Sequence, residues 1–244
     1  MGNIVAIIQA RTGSSRLPGK VLMELAGKPM LMRIVERCKK SKLINKVVIA
    51  TSTAKGDNKI EQLCKTNDWH CFRGSESDVT DRFYQASLKY EATIVVRITA
   101  DCPLIDAEVI DDVIKQFLNK QPDIDYCSNI LPHRTFPRGL DTEVFSFEAI
   151  ERSWKEDDNP EWREHVDEYI LHNQDTFKLD GFLNEKDYSY MRWVVDTEDD
   201  LKFIRKIYES FGDSNFGWQD VINFIEENQD LLKINKDVQQ KEVK

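Results

Sequence analysis

The chain alternates short unbroken apolar runs with amphipathic stretches. Ile4-Val5-Ala6-Ile7-Ile8, Val47-Val48-Ile49-Ala50 and Ile94-Val95-Val96-Arg97-Ile98 carry almost no polar interruptions. Runs of this kind predict parallel strands buried on both faces. Between them the spacing turns helical. A helix is predicted from near Pro29, a residue welcome in a first turn, with Leu31, Ile34, Val35 and Cys38 on one side. Further helices are predicted over 58–67, over 78–90 with Phe83, Ala86, Leu88 and Tyr90, and from Asp106 to Leu118, followed by a strand at Asp125–Ser128. Strand–helix alternation of this length implies βαβ units, right-handed crossovers and a mostly parallel sheet: an α/β fold.

The second half is less regular. Pro132–Gly139 reads as a loop and Thr142–Phe147 as a strand. Asn159-Pro160 can start a helix running to Asn173. Tyr188–Val195 is apolar enough for a strand that ends at Asp196, and helices over Asp199–Phe211 and Trp218–Glu227 follow. The polar tail after Asn235 is expected to fray. With no repeat or low-complexity linker, the reading is one domain over 1–235, an excursion at about 130–185, and a tail at 236–244.

Composition narrows the function classes. The chain of 244 residues has a net charge of −9, which disfavours a nucleic-acid or membrane-surface partner outside a local basic patch. No apolar run approaches the roughly 20 residues a bilayer crossing needs. Met1–Ile8 is too short for a secretory signal, so a cytoplasmic protein is expected. The five cysteines are scattered without a C-x-x-C pair, as in reduced, metal-free thiols. Only Cys102, beside Asp101, invites a catalytic reading, and cysteine also serves as a small buried hydrophobe.

Against that acidity, the segment from Arg11 to Lys20 holds three cations and no carboxylate. It follows a buried strand, and ligands of parallel sheets bind beyond the carboxyl ends of the strands. Gly13 and Gly19 let backbone approach a ligand, and Ser14 and Ser15 add hydroxyls. Arg11 and Arg16 could grip phosphate oxygens bidentately while Lys20 supplies a point charge. The spelling is neither a Walker A loop nor G-x-G-x-x-G. A solvated turn is the alternative. Asp101 and Asp196 each close a predicted strand, so two carboxylates could meet over one site, as Mg²⁺ bound to phosphates requires. Alternatively, Asp196 caps the following helix and Asp101 the turn before Pro103. Thr51, Ser52, Arg73, Gly74 and Ser75 fall in loops after early strands and could read a base, as could the carbonyl of Ala100, though Arg73 also suits a surface charge. Arg163, His165 and Tyr169 share one predicted helix, and Arg192 lies two strand alternations before Asp196. Arg138, Arg163 and Arg192 could clamp an anion.

Ala10-Arg11-x-x-Ser-Ser-Arg16-Leu-Pro-Gly-Lys20 resembles the signature loop of the cytidylyltransferases that activate acidic sugars, including those making CMP-Kdo and CMP-sialic acid. Within that group the chain looks most like the branch named for a spore-coat polysaccharide biosynthesis protein, with landmarks matching in order through Asp200. The resemblance implies a three-layer α/β/α, nucleotide-diphosphosugar-transferase (GT-A-like) fold, CTP as donor, Mg²⁺ (or Mn²⁺) on Asp101 and Asp196, and a homodimer. By the same resemblance Arg73-Gly-Ser-Glu-Ser-Asp-Val79 lines the nucleotide pocket. Arg138-Gly139-Leu-Asp141-Thr-Glu143 faces the sugar.

The expected reaction transfers CMP from CTP to an acidic sugar, sugar phosphate or other small phosphorylated acceptor, with release of pyrophosphate, in surface-polysaccharide precursor synthesis. Arg11, Lys20, Asp101 and Asp196 would carry it, and His165 or a metal-bound water is the candidate base for a hydroxyl acceptor. Two rivals remain. A glycosyltransferase could use the D-x-D of Asp123-Ile-Asp125, and a non-catalytic nucleotide-binding protein would need only the loop.

Overall fold

A computed structural model describes residues 2–213 and 215–240. The first apolar run forms β1 (Ile4–Gln9), and a two-stranded ribbon of β2 (Glu24–Leu25) and β3 (Lys28–Pro29) precedes α1 (Met30–Cys38). Then come β4 (Lys46–Ser52), α2 (Asn58–Thr66), β5 (His70–Gly74), α3 (Val79–Lys89), β6 (Ile94–Thr99) and α4 (Ala107–Asn119). The remainder is β7 (Tyr126–Ser128), β8 (Glu143–Ser146), α5 (Phe147–Glu156), α6 (Glu168–His172), β9 (Leu179–Gly181), α7 (Glu198–Phe211) and α8 (Trp218–Glu227). The main sheet has the order β5-β4-β1-β6-β8-β7-β9, and only β8 runs against its neighbours.

The apolar runs behave as their composition dictates. Ile4, Ala6 and Ile8 enter the core on one face of the sheet, while Val5 and Ile7 enter the core on the other. Both faces are covered, so the strand has no polar side. Each of the Ile and Val side chains contributes about 1.5–3 kcal/mol on burial. The chain passes from β1 outward through β4 to β5, then returns to place β6 on β1's other edge. The order therefore reverses between β1 and β6, and a crevice opens beyond their carboxyl ends, where such sheets hold ligands. Both the loop after Gln9 and the loop after Thr99 border it. Among the described residues no helix is long and apolar enough to cross a membrane.

Four elements differ from expectation. The helix predicted to Asn173 is broken into a 3-10 turn, Trp162–Glu164, and the short α6. The break lets Val166 turn into the core and Asp167 reach Arg97 at 2.9 Å. Tyr188–Val195 is not a strand. Its one ladder contact is an isolated bridge between Arg192 and Arg138; the chain turns at Ser189–Tyr190, where Tyr190 is exposed, and then runs buried from Trp193, whose N–H donates to the Arg138 carbonyl (2.7 Å). Helix α5, capped by Ser146 accepting from Ala149 N–H, went unanticipated, as did β5, whose residues are half-buried at the sheet edge.

Arg97 is the charged member of an apolar strand, and its register partner across β8 is Glu143. Its Nη1 donates to both Glu143 oxygens (2.7 and 2.8 Å) as well as to Asp167. Burial pushes the Glu143 carboxyl up to about 8 against the pull of Arg97. Arg97→Met removes the cation and strands two buried carboxylates, which costs about 3–5 kcal/mol. Urea unfolding followed by circular dichroism should show that loss as a lower midpoint. An unchanged midpoint would mean the network does not hold β8 in place.

Candidate active site

The loop after β1 is built around Thr12. Its N–H and Oγ1 both donate to Asp57 Oδ1 at 2.7 Å, and Asp57 Oδ2 accepts from Ser52 N–H (3.2 Å) and Oγ (2.5 Å). One carboxylate thus ties the loop to the end of β4. Burial works to raise the Asp57 pKa, yet the hydrogen bonds from Ser52 and Thr12 outweigh it and hold the carboxyl below its ordinary range. The Thr12 carbonyl accepts from Ser14 N–H and Gly19 N–H, both at 2.9 Å, and Gly19 adopts φ 73°, where a side chain would be strained. Leu17 is buried beneath the loop, and Ser14 Oγ accepts from Leu17 N–H. The rim of Gly13, Ser15 and Arg16 is left exposed, and the Arg11 side chain is half-buried beside it.

Gly19 leads into a single 3-10 turn, Lys20–Leu22, which sends the Lys20 side chain inward. Its Nζ donates to Asp101 Oδ2 (2.9 Å), Asp196 Oδ1 (2.9 Å) and the Val195 carbonyl (2.8 Å). Burial favours neutral lysine, but the two carboxylates prevail and raise the Lys20 pKa. For Asp196, burial is outweighed by Lys20, Arg16 and Arg192, and its pKa is lowered. Asp196 Oδ2 meets Arg16 Nη2 and Arg192 Nη2, each at 2.9 Å. Arg192 also grips Asp200, whose Oδ2 accepts from Asp196 N–H and Thr197 N–H at 3.0 Å. Thr197, not Asp196, caps α7. The capping alternative for Asp196 therefore falls, and its carboxylate faces the site. Asp101 is fixed by Thr99 Oγ1 (2.7 Å) and by its carbonyl accepting from Val195 N–H (2.8 Å). Two carboxylates that converge on one cation fit a divalent ion. Among the described residues no cluster of three or more His, Cys, Asp or Glu could hold one alone, so such an ion would need further oxygens from substrate and water. Burial pushes the neighbouring Cys102 thiol well up, which leaves it no nucleophile.

On the nucleotide side, Thr51 is buried at the end of β4 and its Oγ1 has no partner among the described residues. Ala100 N–H donates to the Gln9 carbonyl (3.0 Å), placing it between the β1 and β6 ends. A Cβ on Gly13 would lie 3.7 Å from Glu76, so the phosphate loop and the loop after β5 face each other. Gly74 is required there, since its Cβ would stand 2.9 Å from the Phe72 ring. Ser75 Oγ accepts from Asp78 N–H (3.0 Å). Arg73 is not aimed at this pocket: it donates to the Ser52 and Ala54 carbonyls, Asn58 and Glu61. Arg82, on the buried side of α3, lies close enough to feel Arg11. Burial and that neighbour lower its pKa to about 10, and its Nε and Nη2 lack partners among the described residues. Nothing in the sequence marked Arg82, or the anchoring role of Asp57.

The acceptor candidates divide. Arg138 and Arg192 lie together, and Gly139 (φ 113°) is needed between them, since a Cβ there would stand 2.7 Å from the Trp193 backbone. Asp141 is gripped by Arg134 and accepts from Gly139 N–H (3.2 Å). Glu143 belongs to the buried Arg97 network. Arg163 leaves the expected clamp, because it is engaged by Asp78 (2.7 Å) and the Trp154 and Asp157 carbonyls. His165 ends the 3-10 turn, and Tyr169 Oη donates to Glu156 (3.2 Å). The tail expected to fray takes Arg163's place. Asn235 Nδ2 donates to the Arg192 carbonyl (3.0 Å) and Asp200 (3.1 Å), and Gln240 accepts from Arg192 (2.6 Å). A cavity of about 390 Å³ results, lined among others by Arg138, Tyr190, Arg192, Asn235, Lys236 and Gln240. Residues 241–244 of the expected tail lie outside the described residues. The D-x-D pair sits elsewhere: Asp125 accepts from Lys178 N–H before β7, at the opposite end of the sheet.

The chain as a whole resembles known proteins. A protein-family model described as Cytidylyltransferase matches residues 5–237. An uncharacterized protein of Methanocaldococcus jannaschii is 39% identical over 98% of this chain and 96% of its own length. Spore coat polysaccharide biosynthesis protein SpsF of Bacillus subtilis is 32% identical over 87% of this chain and 89% of its own. A cytidylyltransferase structure from Leptospira borgpetersenii superposes with TM-score 0.91 at 33% identity, covering 99% of this chain and 100% of that one.

Asp57→Ala should lower stability by about 2–3 kcal/mol at pH 7, because it removes a charged acceptor from four donors. Asp57 has a depressed folded pKa, so its contribution is complete above the ordinary aspartate value of about 4 and is lost as pH falls through the folded value. Unfolding curves of the two proteins should therefore converge in acid. A gap that persists undiminished at the acid limit would contradict the anchoring role.

Proposed function

The chain belongs to the cytidylyltransferase family, and from that premise we propose that it transfers CMP from CTP to a small anionic acceptor, an acidic sugar or a phosphorylated small molecule. The observation that carries the reading is the meeting of Asp101 and Asp196 on Lys20 of the phosphate loop, at the carboxyl end of β1 and β6. Spore-coat polysaccharide synthesis, in the name of the Bacillus relative, supports a place in surface-polysaccharide precursor synthesis.

An acceptor oxygen attacks the α-phosphorus. A new oxygen–phosphorus bond forms, the bond to the oxygen bridging to the β-phosphorus breaks, and pyrophosphate leaves with the bonding pair. Arg11, Arg16 and Lys20 draw charge from the leaving pyrophosphate. Mg²⁺ or Mn²⁺ on Asp101 and Asp196 supplies, when bound, positive charge at the α-phosphate. Thr51, Ser75 and the Ala100 backbone lie where the nucleoside would be held. Arg138, Arg192 and Lys236 hold the acceptor's carboxylate or phosphate in the adjoining cavity. Positioning and fixed charge do the work, and no covalent enzyme intermediate is needed. A phosphate acceptor is already ionised and attacks without a base.

Pyrophosphate release should be measured with CTP, Mg²⁺ and a panel of acidic sugars and sugar phosphates. CTP should be preferred over other triphosphates. Lys20→Ala and Asp101→Asn should each lower kcat/KM by about 10²–10³-fold, with kcat itself falling. Full turnover in either variant, or sugar transfer without pyrophosphate, would overturn the assignment.

A further inference from the structure

Lys20 Nζ has three hydrogens and three acceptors, Asp101 Oδ2, Asp196 Oδ1 and the Val195 carbonyl, all within 2.9 Å. It is 8% exposed. The remaining carboxylate oxygens are also engaged, Asp101 Oδ1 by Thr99 and Asp196 Oδ2 by Arg16 and Arg192. The point on which the two carboxylates converge is thus already filled by a positive charge. A divalent ion cannot occupy the same point, because two like charges a few ångströms apart in a poorly solvated crevice repel strongly.

Lys20 and Arg16 differ from Arg192 in how they are held. Arg192 is locked by Asp200, with a 2.8 Å contact from its Nε, and by Gln240. Lys20 and Arg16 belong to the phosphate loop, and Lys20 reaches the carboxylates on a flexible four-carbon stem. A triphosphate lying along that loop offers both cations a stronger anion beside their present position. We propose, resting on the nucleotide reading above, that Lys20 is a built-in counter-cation that trades partners. It keeps Asp101 and Asp196 neutralised in the free protein, and it moves to the phosphates when nucleotide binds, which opens the carboxylate pair to the metal ion. Arg192 stays on Asp196 throughout. The consequence is coupling: metal binds weakly alone and well with nucleotide, and nucleotide gains the same factor from metal. A bare site loaded with metal, open to stray phosphate esters, is thereby avoided.

Mn²⁺ binding, followed by the electron paramagnetic resonance signal of the free ion, provides the test. Wild-type protein without nucleotide should bind Mn²⁺ weakly, and Lys20→Met about tenfold or more tightly. A second variant guards against misfolding of the first. Asp101→Asn removes one of Lys20's present partners, so in EDTA it should bind CTP more tightly than wild type by calorimetry. Equal Mn²⁺ affinity in wild type and folded Lys20→Met, or unchanged metal-free CTP affinity in Asp101→Asn, would overturn the exchange. Failure of wild type to bind CTP even with Mg²⁺ would instead overturn the functional reading on which it rests.

Discussion

Two aspartates that stand at the ends of distant segments cannot share a poorly hydrated crevice unless a positive charge stands between them. That requirement organises this molecule. Asp101 follows β6 and Asp196 precedes α7, and both meet Lys20 from the loop after β1. Burial alone would drive Lys20 neutral and Asp196 protonated, yet pairing reverses both outcomes. Such a cluster is weak evidence of stability, because buried ion pairs seldom repay their desolvation. It is better understood as stored charge of both signs, available to a ligand that carries its own.

The surrounding structure keeps that charge in place. Asp57 pins the loop at Thr12, Gly19 turns it, and the 3-10 turn delivers Lys20. Asp200 does similar work on the other side, caught between the α7 capping box, Arg192 and Asn235. The C-terminal stretch closes the circuit by laying Asn235 and Gln240 against Arg192 and by walling the cavity beside Arg138. One side of the crevice carries the loop cations Arg16 and Lys20, and the other presents Arg138, Arg192 and Lys236 around the cavity.

The sheet was legible because its strands are buried on both faces and so carry no polar interruptions to mislead. The phosphate loop stood out because cations cluster there in an acidic chain. Asp101 and Asp196 could be paired from their placement at segment ends, although Tyr188–Val195 proved to be an extended loop, so Arg192 meets Asp196 without strand geometry. What stayed hidden depends on partners far along the chain. Asp57 looks like an ordinary residue before a helix, and Arg82 like one more charge on α3. Arg73 and Arg163 looked available for ligands until their carbonyl and carboxylate partners became visible. Gln240 lies in a stretch whose polarity suggests fraying, and Asn235 just before it, since nothing local reveals that Arg192 waits across from them.

The central claim is that Lys20, Asp101 and Asp196 form one site that receives a nucleotide and a metal together. A crystal structure with CTP and Mn²⁺, with anomalous scattering locating the metal, tests it most directly. Manganese should lie between Asp101 and Asp196 beside the α-phosphate, with Lys20 Nζ moved onto the phosphates. Nucleotide bound elsewhere, or Lys20 still bridging the two carboxylates with nucleotide and metal in place, would contradict it.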